Sequence, residues 1–454
     1  MGNTLPIAPK HMAHRLATRL RHHVPVGNQR PPGRTTGKEM DMNASDTGFV
    51  LICAAFVLFM TPGLAFFYGG LGRRKNVTNN IMASFFIIGI ATAMWVALGF
   101  SLTFGGDHAG VIGGFDYLFL SNVGQEPGPY AGTIPFLAFA MFQMMFAIIT
   151  PALITGAIAG RMRFTSLFLF VVLWTMAVYY PIAHMVWGSG GWLAEIGSID
   201  FAGGNVVHIS SGISALLLCL ALGRRVGYGQ ANYRVHNVPL VATGTALLLF
   251  GWLGFNAGSA LAADGLAAHA FTASIISAAA AECTWMLMDV LSDGRPTLVG
   301  ACTGIVIGLV AITPGCGFVP LWAALVIGAL AGPICYLCVS RLKPRFGYDD
   351  ALDAFGCHGV GGIFGGLCTG IFASKAVNPS IRWNGLIYGE TELFVAQVVS
   401  ILATIALAVV GTFVCMRIVR LFGELRVSEH DERVGLDITQ HGERAYPSFN
   451  GLDD

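Results

Sequence analysis

Runs of about 20 apolar residues recur from Thr47 to Leu421, each long enough to cross a hydrocarbon layer as a helix. Eleven are expected: 47–70, 81–104, 133–159, 164–187, 205–222, 238–263, 269–291, 297–313, 318–340, 352–373 and 392–421. Charged residues make up 11% of the 454, against roughly 25% in a soluble domain. The chain therefore reads as an all-α membrane protein. Most of its 59 glycines fall inside these runs, five of them (Gly361, Gly362, Gly365, Gly366, Gly370) in one span. Small residues let helix backbones approach in lipid, so packing is the plain reading of each. The ten cysteines lie within or at the edges of spans and read as small apolar packing residues, the Cys335/Cys338 pair included.

Lysine and arginine set the orientation. With the loop after the first span inside, the inner loops between spans hold twelve basic residues, among them Arg73, Arg161, Arg225 and Lys343, and the outer loops only Lys375 and Arg382. This bias places the amino terminus outside and the carboxy terminus in the cytoplasm, across the cytoplasmic (inner) membrane. Three segments follow: an extension over 1–46, a transmembrane domain over 47–421 and a polar cytoplasmic tail over 422–454. The first 40 residues carry seven basic side chains and one acid, Glu39, with no apolar core, so they are not a secretory signal. Translation is expected to begin at Met40 or Met42; the alternative is a disordered extension.

Five spans followed by five reverse the direction of entry, which suggests a 5+5 inverted repeat plus one extra helix, with a pathway between the halves. An internal echo supports it: the fifth span opens at Asp200 and carries His208, and the tenth opens at Asp353 and carries His358. The outer loops 105–132 and 188–204 contain no lysine or arginine but hold Asp107, Asp116, Glu126, Glu195 and Asp200, a face that favours an arriving cation.

Ionisable groups inside spans are few: His184, His208, Glu282, Asp289 and His358. Their cost in lipid makes a functional reading the default. Glu282 and Asp289 have no counterpart in the other half, so capping packed helices or pairing with loop arginines serves equally well. His208 and His358 recur at matching places. Two neutral imidazoles facing each other can share one proton, one ring donating and the other accepting, and burial favours the neutral form. Satisfied core histidines and a di-His haem site remain open as rivals. Beside short Gly-rich breaks stand aromatics: Phe146, Trp187, and Phe255 one turn from Ser259. Aromatic faces attract a cation by about 0.5–2 kcal/mol, and a serine oxygen can accept its hydrogen bond.

Five stretches, "TPGLAFFYGG", "DFAGGNVVHI", "GWLGFNAGSA", "DAFGCHGVGG" and "GLDITQHGERAY", resemble the motifs of the Amt/Mep/Rh ammonium transporters in order and spacing, over about residues 47 to 447. The resemblance implies a homotrimer of eleven-span subunits, each with its own pore. It implies an outer ammonium recruitment site of Phe146, Trp187 and Ser259, a gate of Phe146 and Phe255, a twin-histidine pore of His208 and His358, and Asp200 as supporting carboxylate. The outer trio fits the Amt branch better than the Rh branch, while Met144 and Met145 stand where relatives often have smaller residues. Methylammonium would serve as substrate analogue, and a PII-type signalling protein would dock at the cytoplasmic face. No enzyme activity, cofactor, metal or nucleic-acid partner is expected. Ammonium is close to potassium in size, but a dry pore with neutral imidazoles asks its guest to shed or share a proton, which potassium cannot do. A sensor on the same scaffold is the alternative, although about 33 tail residues leave no room for an added folded domain. Mass measurement of protein made from the native gene should find residues 1–39 missing; an intact mass would refute the internal start.

Overall fold

The computed structural model describes residues 1–2, 42–229 and 235–446. Two units divide the chain, Met1–Asp41 and Met42–Asp454. The expected start site and the basic extension lie almost wholly outside the described residues.

Among the described residues, ten helices are long and apolar enough to cross a membrane: α1 (Ala44–Leu71), α2 (Arg74–Phe104), α3 (Phe136–Ile158), α4 (Phe164–Glu195), α5 (Gly204–Leu222), α6 (Val238–Gly258), α7 (Gly265–Asp293), α9 (Leu321–Phe346), α10 (Phe355–Phe372) and α11 (Glu392–Phe422). The remaining expected span is α8, the 15-residue helix Leu298–Ile312. At 1.5 Å per residue it is roughly 22 Å long, short of a hydrocarbon layer of about 30 Å. Caps fix several starts. Asn43 Oδ1 accepts from Ser45 N (2.8 Å) and Asp46 N (3.2 Å), which begins α1 three residues before Thr47. Asp289 Oδ2 accepts from Thr297 Oγ1 (2.8 Å) and Thr297 N (3.2 Å), fastening α7 to the start of α8. Of the two roles weighed for Asp289, capping is the one it performs.

The first five helices and the next five pack alike. α1 meets α2 and α3 as α6 meets α7 and α8; α2 meets α3 and α4 as α7 meets α8 and α9; α3 meets α5 as α8 meets α10. The halves are joined where equivalents touch, α1 on α6 and α5 on α10. At the second contact the helices approach closely: a Cβ on Gly212 would collide with the Gly359 backbone, and one on Gly362 would press on the His208 and Ile209 side chains. Positions 212 and 362 differ by the same 150 residues as His208 and His358, so each half offers its glycine to the other. Within the apolar windows, 83% of α3 and 78% of α5 is buried, against 39% of α11, which places the first two at the centre of the bundle.

Loop 105–132 covers one end of the bundle, here the loop face, with two small antiparallel ribbons, β1 (Asp107–His108) with β2 (Ile112–Gly113) and β3 (Pro127–Gly128) with β4 (Ala131–Pro135). His184 holds that loop down: Nδ1 lies 2.8 Å from Thr103 O and Nε2 3.0 Å from Asp107 Oδ1. The hydrogen bond from His184 keeps the Asp107 carboxyl below the usual range.

The opposite end, the tail face, is closed by the carboxy-terminal segment and its helices α12 (Glu429–Val434) and α13 (Leu436–His441). Lys75 Nζ donates to Glu432 O (2.7 Å), Asn79 N to Asp437 Oδ1 (2.8 Å) and Val226 N to Glu432 Oε1 (2.7 Å). Arg426 donates to Leu222 O at 2.8 Å, a cation at the C-terminus of α5, and pairs with Glu432 at 2.7 Å. Beneath the tail, fully buried Arg161 sits 3.1 Å from the buried Asp349 carboxylate and donates to Gly223 O at 2.7 Å. Arg225 grips the same carboxylate at 2.7 Å. Burial pushes Asp349 up, but the Arg161 and Arg225 guanidiniums outweigh it and hold the carboxyl below its usual range. Stability from Asp349 is thus present above its unfolded pKa and lost as pH falls through the depressed folded value. Arg161→Met should lower stability by about 3–5 kcal/mol, because it strips one partner from a buried pair. Thermal unfolding in detergent measures this, and an unchanged midpoint would contradict it.

Candidate functional site

Both α5 and α10 open with a widened π turn, Gly204–Ile209 and Phe355–Val360, and each turn carries one of the two histidines. Such turns leave backbone N–H groups unpaired at the helix start. Asp200 fills that need before α5: Oδ1 accepts from Gly203 N (2.8 Å) and Gly204 N (2.7 Å), and Oδ2 from Asn205 N (2.7 Å). Gly203 makes the approach possible with φ of 117°, a conformation open to glycine. Before α10 the same task falls to Asp350, which accepts from Ala354 N (3.1 Å) and Phe355 N (2.8 Å). This corrects the expected echo between Asp200 and Asp353. Asp353 instead pairs with Lys343 at 2.5 Å. The interval was readable in the sequence, since Asp200 precedes His208 and Asp350 precedes His358 by the same eight positions. Burial, with the Asp353 charge adding to it, pushes the Asp350 carboxyl up to about 6.

His208 and His358 are 1% and 3% exposed, and their rings stack with centroids 5.4 Å apart and planes inclined by 17°. The expected hydrogen bond between them is not formed. His208 Nδ1, His208 Nε2 and His358 Nδ1 have no hydrogen-bond partner among the described residues. A buried polar atom left unpaired is costly, so three in one place call for a polar guest. Both rings line a cavity of about 20 Å³, walled by Leu64, Ile149, Trp252 and Phe255. That is room for a single water-sized molecule. It leaves none for a porphyrin, which removes the haem reading.

An aromatic column leads from this cavity to the loop face. His208 stacks on Phe255 at 6.2 Å, Phe255 on Phe146 at 4.3 Å, and Phe146 meets Trp187 edge-on at 5.8 Å. Phe146, Trp187 and Ser259 then line one vestibule of about 290 Å³ together with Gln143 and Tyr130. Ser259 Oγ donates to Phe255 O at 2.9 Å, so its lone pairs are left to accept. Trp187 Nε1 donates to Asp200 O at 2.9 Å. Asp200 therefore stands behind the wall, holding the His208 turn by its carboxylate and the Trp187 indole by its carbonyl. On the tail face a second vestibule, about 370 Å³, is lined by Arg225, Tyr228, Lys343 and Asp353. All the site residues expected from sequence fall on this one line or directly behind it. Trp252 and Asp350 were missed. Trp252 stacks on His208 at 5.4 Å, and the signal for it was its place one helical turn before Phe255.

Comparison with known proteins fits this arrangement. Residues 48–446 match the model of the Ammonium Transporter Family. The chain belongs to that family. An ammonium transporter of Bacillus subtilis is 49% identical over 405 residues, 89% of this chain and 99% of the relative. Ammonium transporter Amt1 of Archaeoglobus fulgidus is 43% identical over 406 residues, 89% of this chain and 100% of the relative. Among solved structures, Mep2 of Saccharomyces cerevisiae superposes with a TM-score of 0.80 at 36% identity, over 86% of this chain and 91% of that one. A structure named Sensor Amt Protein gives 0.80 at 28%, over 87% and 98%. Within this family scaffold the two aspartates make separable predictions. Asp350→Ala should destabilise by about 1–3 kcal/mol, since it orphans two buried donors, whereas Asp353→Ala, which loses a partly exposed pair, should cost under about 1 kcal/mol. Paired unfolding curves decide this; equal effects would return the capping role to neither residue.

Proposed function

We propose that the chain passes ammonium, as ammonia or with its proton handed on separately, across a cytoplasmic membrane through a pore in each subunit. The observation that supports this reading most is the stacked imidazole pair, with three unpartnered nitrogens in a one-molecule apolar cavity at the foot of an aromatic column. The column suits the substrate at both ends. At the loop face, aromatic rings and a serine lone pair attract a small hydrogen-bonding cation. At the histidines, no fixed charge among the described residues of the wall compensates a bare cation, and a guest that donates and accepts hydrogen bonds can satisfy the rings. Potassium meets the first condition and fails the second.

In this reading Phe146, Trp187 and Ser259 recruit, Phe146 and Phe255 gate, His208 and His358 select, and Asp200 supports both. The loop face is external and the tail cytoplasmic, in accord with the lysine and arginine bias. Eleven crossings, with α8 as the short one, give the two halves opposite directions of entry. A homotrimer is proposed on the family's pattern, and a PII-type protein as the partner that closes the tail-face vestibule. Sensing is the second reading, supported by the likeness to the Sensor Amt Protein over 98% of that chain.

Proteoliposomes containing the purified protein should take up labelled methylammonium and respond to ammonium but not to potassium; recording current alongside uptake separates gas passage from charge movement. His208→Ala should abolish or reshape this conduction without loss of assembly. Trp187→Leu should raise the apparent KM for methylammonium by roughly 2- to 30-fold, the worth of one cation–π contact. Wild-type selectivity in the first variant, or unchanged apparent affinity in the second, would count against the assignments.

A further inference from the structure

We infer that Thr313 is a positioning residue for selection: it turns the one polar atom of Trp252 away from the cavity, so that the indole N–H does not take a histidine nitrogen that a guest would meet there. The inference rests on the reading of the histidine cavity as the selective step.

Trp252 is the largest side chain against His208, 1% exposed, with the two rings 5.4 Å apart and inclined by 25°. An indole brings an apolar face and one N–H donor, and a buried N–H finds a partner. The imidazole nitrogens would be ready acceptors if the ring turned toward them. It does not turn. Trp252 Nε1 donates instead to Thr313 Oγ1 at 2.9 Å, on the side of α6 that faces α8.

Thr313 is built for that acceptance. It is fully buried at the C-terminal end of α8, and its hydroxyl lies 2.7 Å from Leu309 O and 3.3 Å from Asn256 Oδ1. A hydroxyl has a single proton. With that proton given to the nearer carbonyl, a lone pair is left for the indole. Asn256 is held in turn, its Nδ2 donating to Ser274 Oγ at 2.8 Å, and Ser274 Oγ donating to Ala270 O at 2.6 Å. The chain of bonds crosses α6, α7 and α8, which makes Thr313 a fixed acceptor rather than a rotor free to follow the indole.

Without the hydroxyl, a valine of the same shape would leave the indole N–H buried and unpaired. The relief within reach is rotation toward the cavity, where the N–H would donate to His208. That would occupy a nitrogen the guest needs and narrow a space of about 20 Å³.

Thr313→Val should therefore lower methylammonium uptake in proteoliposomes by roughly tenfold, the equivalent of one orphaned buried donor, while Thr313→Ser stays within about twofold of wild type. A double-mutant cycle separates positioning from mere packing. Trp252→Phe carries no N–H, so adding Thr313→Val to it should change uptake by less than about twofold. A second readout needs no transport: with ¹⁵N-indole tryptophan, the signal assigned to the Trp252 N–H by its loss in Trp252→Phe should exchange slowly in wild type and Thr313→Ser and fast in Thr313→Val. If wild type itself passes no methylammonium but this exchange pattern holds, the transport reading falls and the positioning of Trp252 stands. The inference is overturned if exchange is as slow in Thr313→Val as in wild type, or if Thr313→Val costs as much in the Trp252→Phe background as in the wild-type one.

Discussion

Three buried ring nitrogens without partners among the described residues set the terms for the rest of the structure. Water or neighbouring side chains would ordinarily satisfy such atoms, and a fold that withholds its own side chains keeps a standing demand for a small polar guest. Withholding them takes arrangement at several places. Trp252 and Phe255 cover the rings, α3 and α5 bury the surrounding wall, and Trp252 spends its own donor elsewhere. Because no fixed charge lies among the described residues of the cavity wall, the demand is for hydrogen bonding rather than for countercharge.

Bringing two imidazoles from distant parts of the chain to within one stacking distance is a topological problem, and the repeat solves it. Each half supplies an aspartate, a histidine on a π turn eight residues later and a glycine four residues beyond the histidine. The glycines at 212 and 362 let α5 and α10 approach closely, Gly212 against the Gly359 backbone and Gly362 against the His208 and Ile209 side chains, and the rings lie face to face. Further bonds hold the far end of α5 and the segment that leads into α10. Arg426 and Arg161 take carbonyls at the end of α5, and Asp349, which Arg161 and Arg225 surround, directly precedes the aspartate that starts α10. The tail thus bonds directly to the end of α5, and Val427 N donates to the backbone of Arg161, whose side chain pairs with the Asp349 that precedes α10.

Apolar run length read the helices correctly to within a few residues at most ends, since lipid allows little choice of element. It also singled out the two histidines that line one cavity, because ionisable residues in lipid are few enough to weigh one by one. Two kinds of information were out of reach. The fastening of α8 to α7, by Asp289 on Thr297, is a contact between helices that run length does not encode. The echo was misassigned to Asp353 because proximity to an apolar run was used where a fixed interval to the histidine was the better guide. Tertiary geometry accounts for the other misses: Trp252 looked like packing until its ring was found against His208, and the absence of a bond between the histidines follows from ring orientation, which no sequence pattern specifies.

Magnitudes decide where, on the proposed reading, a cation has to stop. A cation–π contact contributes about 0.5–2 kcal/mol, and the vestibule offers two such rings and a serine lone pair while water still reaches its open side. Moving the same ion past the Phe146–Phe255 stack into a one-molecule apolar cavity forfeits its hydration, an effective penalty of several kcal/mol that no carboxylate in the described cavity wall offsets. The aromatic contacts cannot make up that difference. Ammonium can avoid it by leaving its proton behind, because what remains is neutral and still both donates and accepts hydrogen bonds. The stacked phenylalanines then mark the boundary between a region where charge is welcome and one where hydrogen bonding alone is rewarded, and selectivity arises from the order in which a guest meets the two.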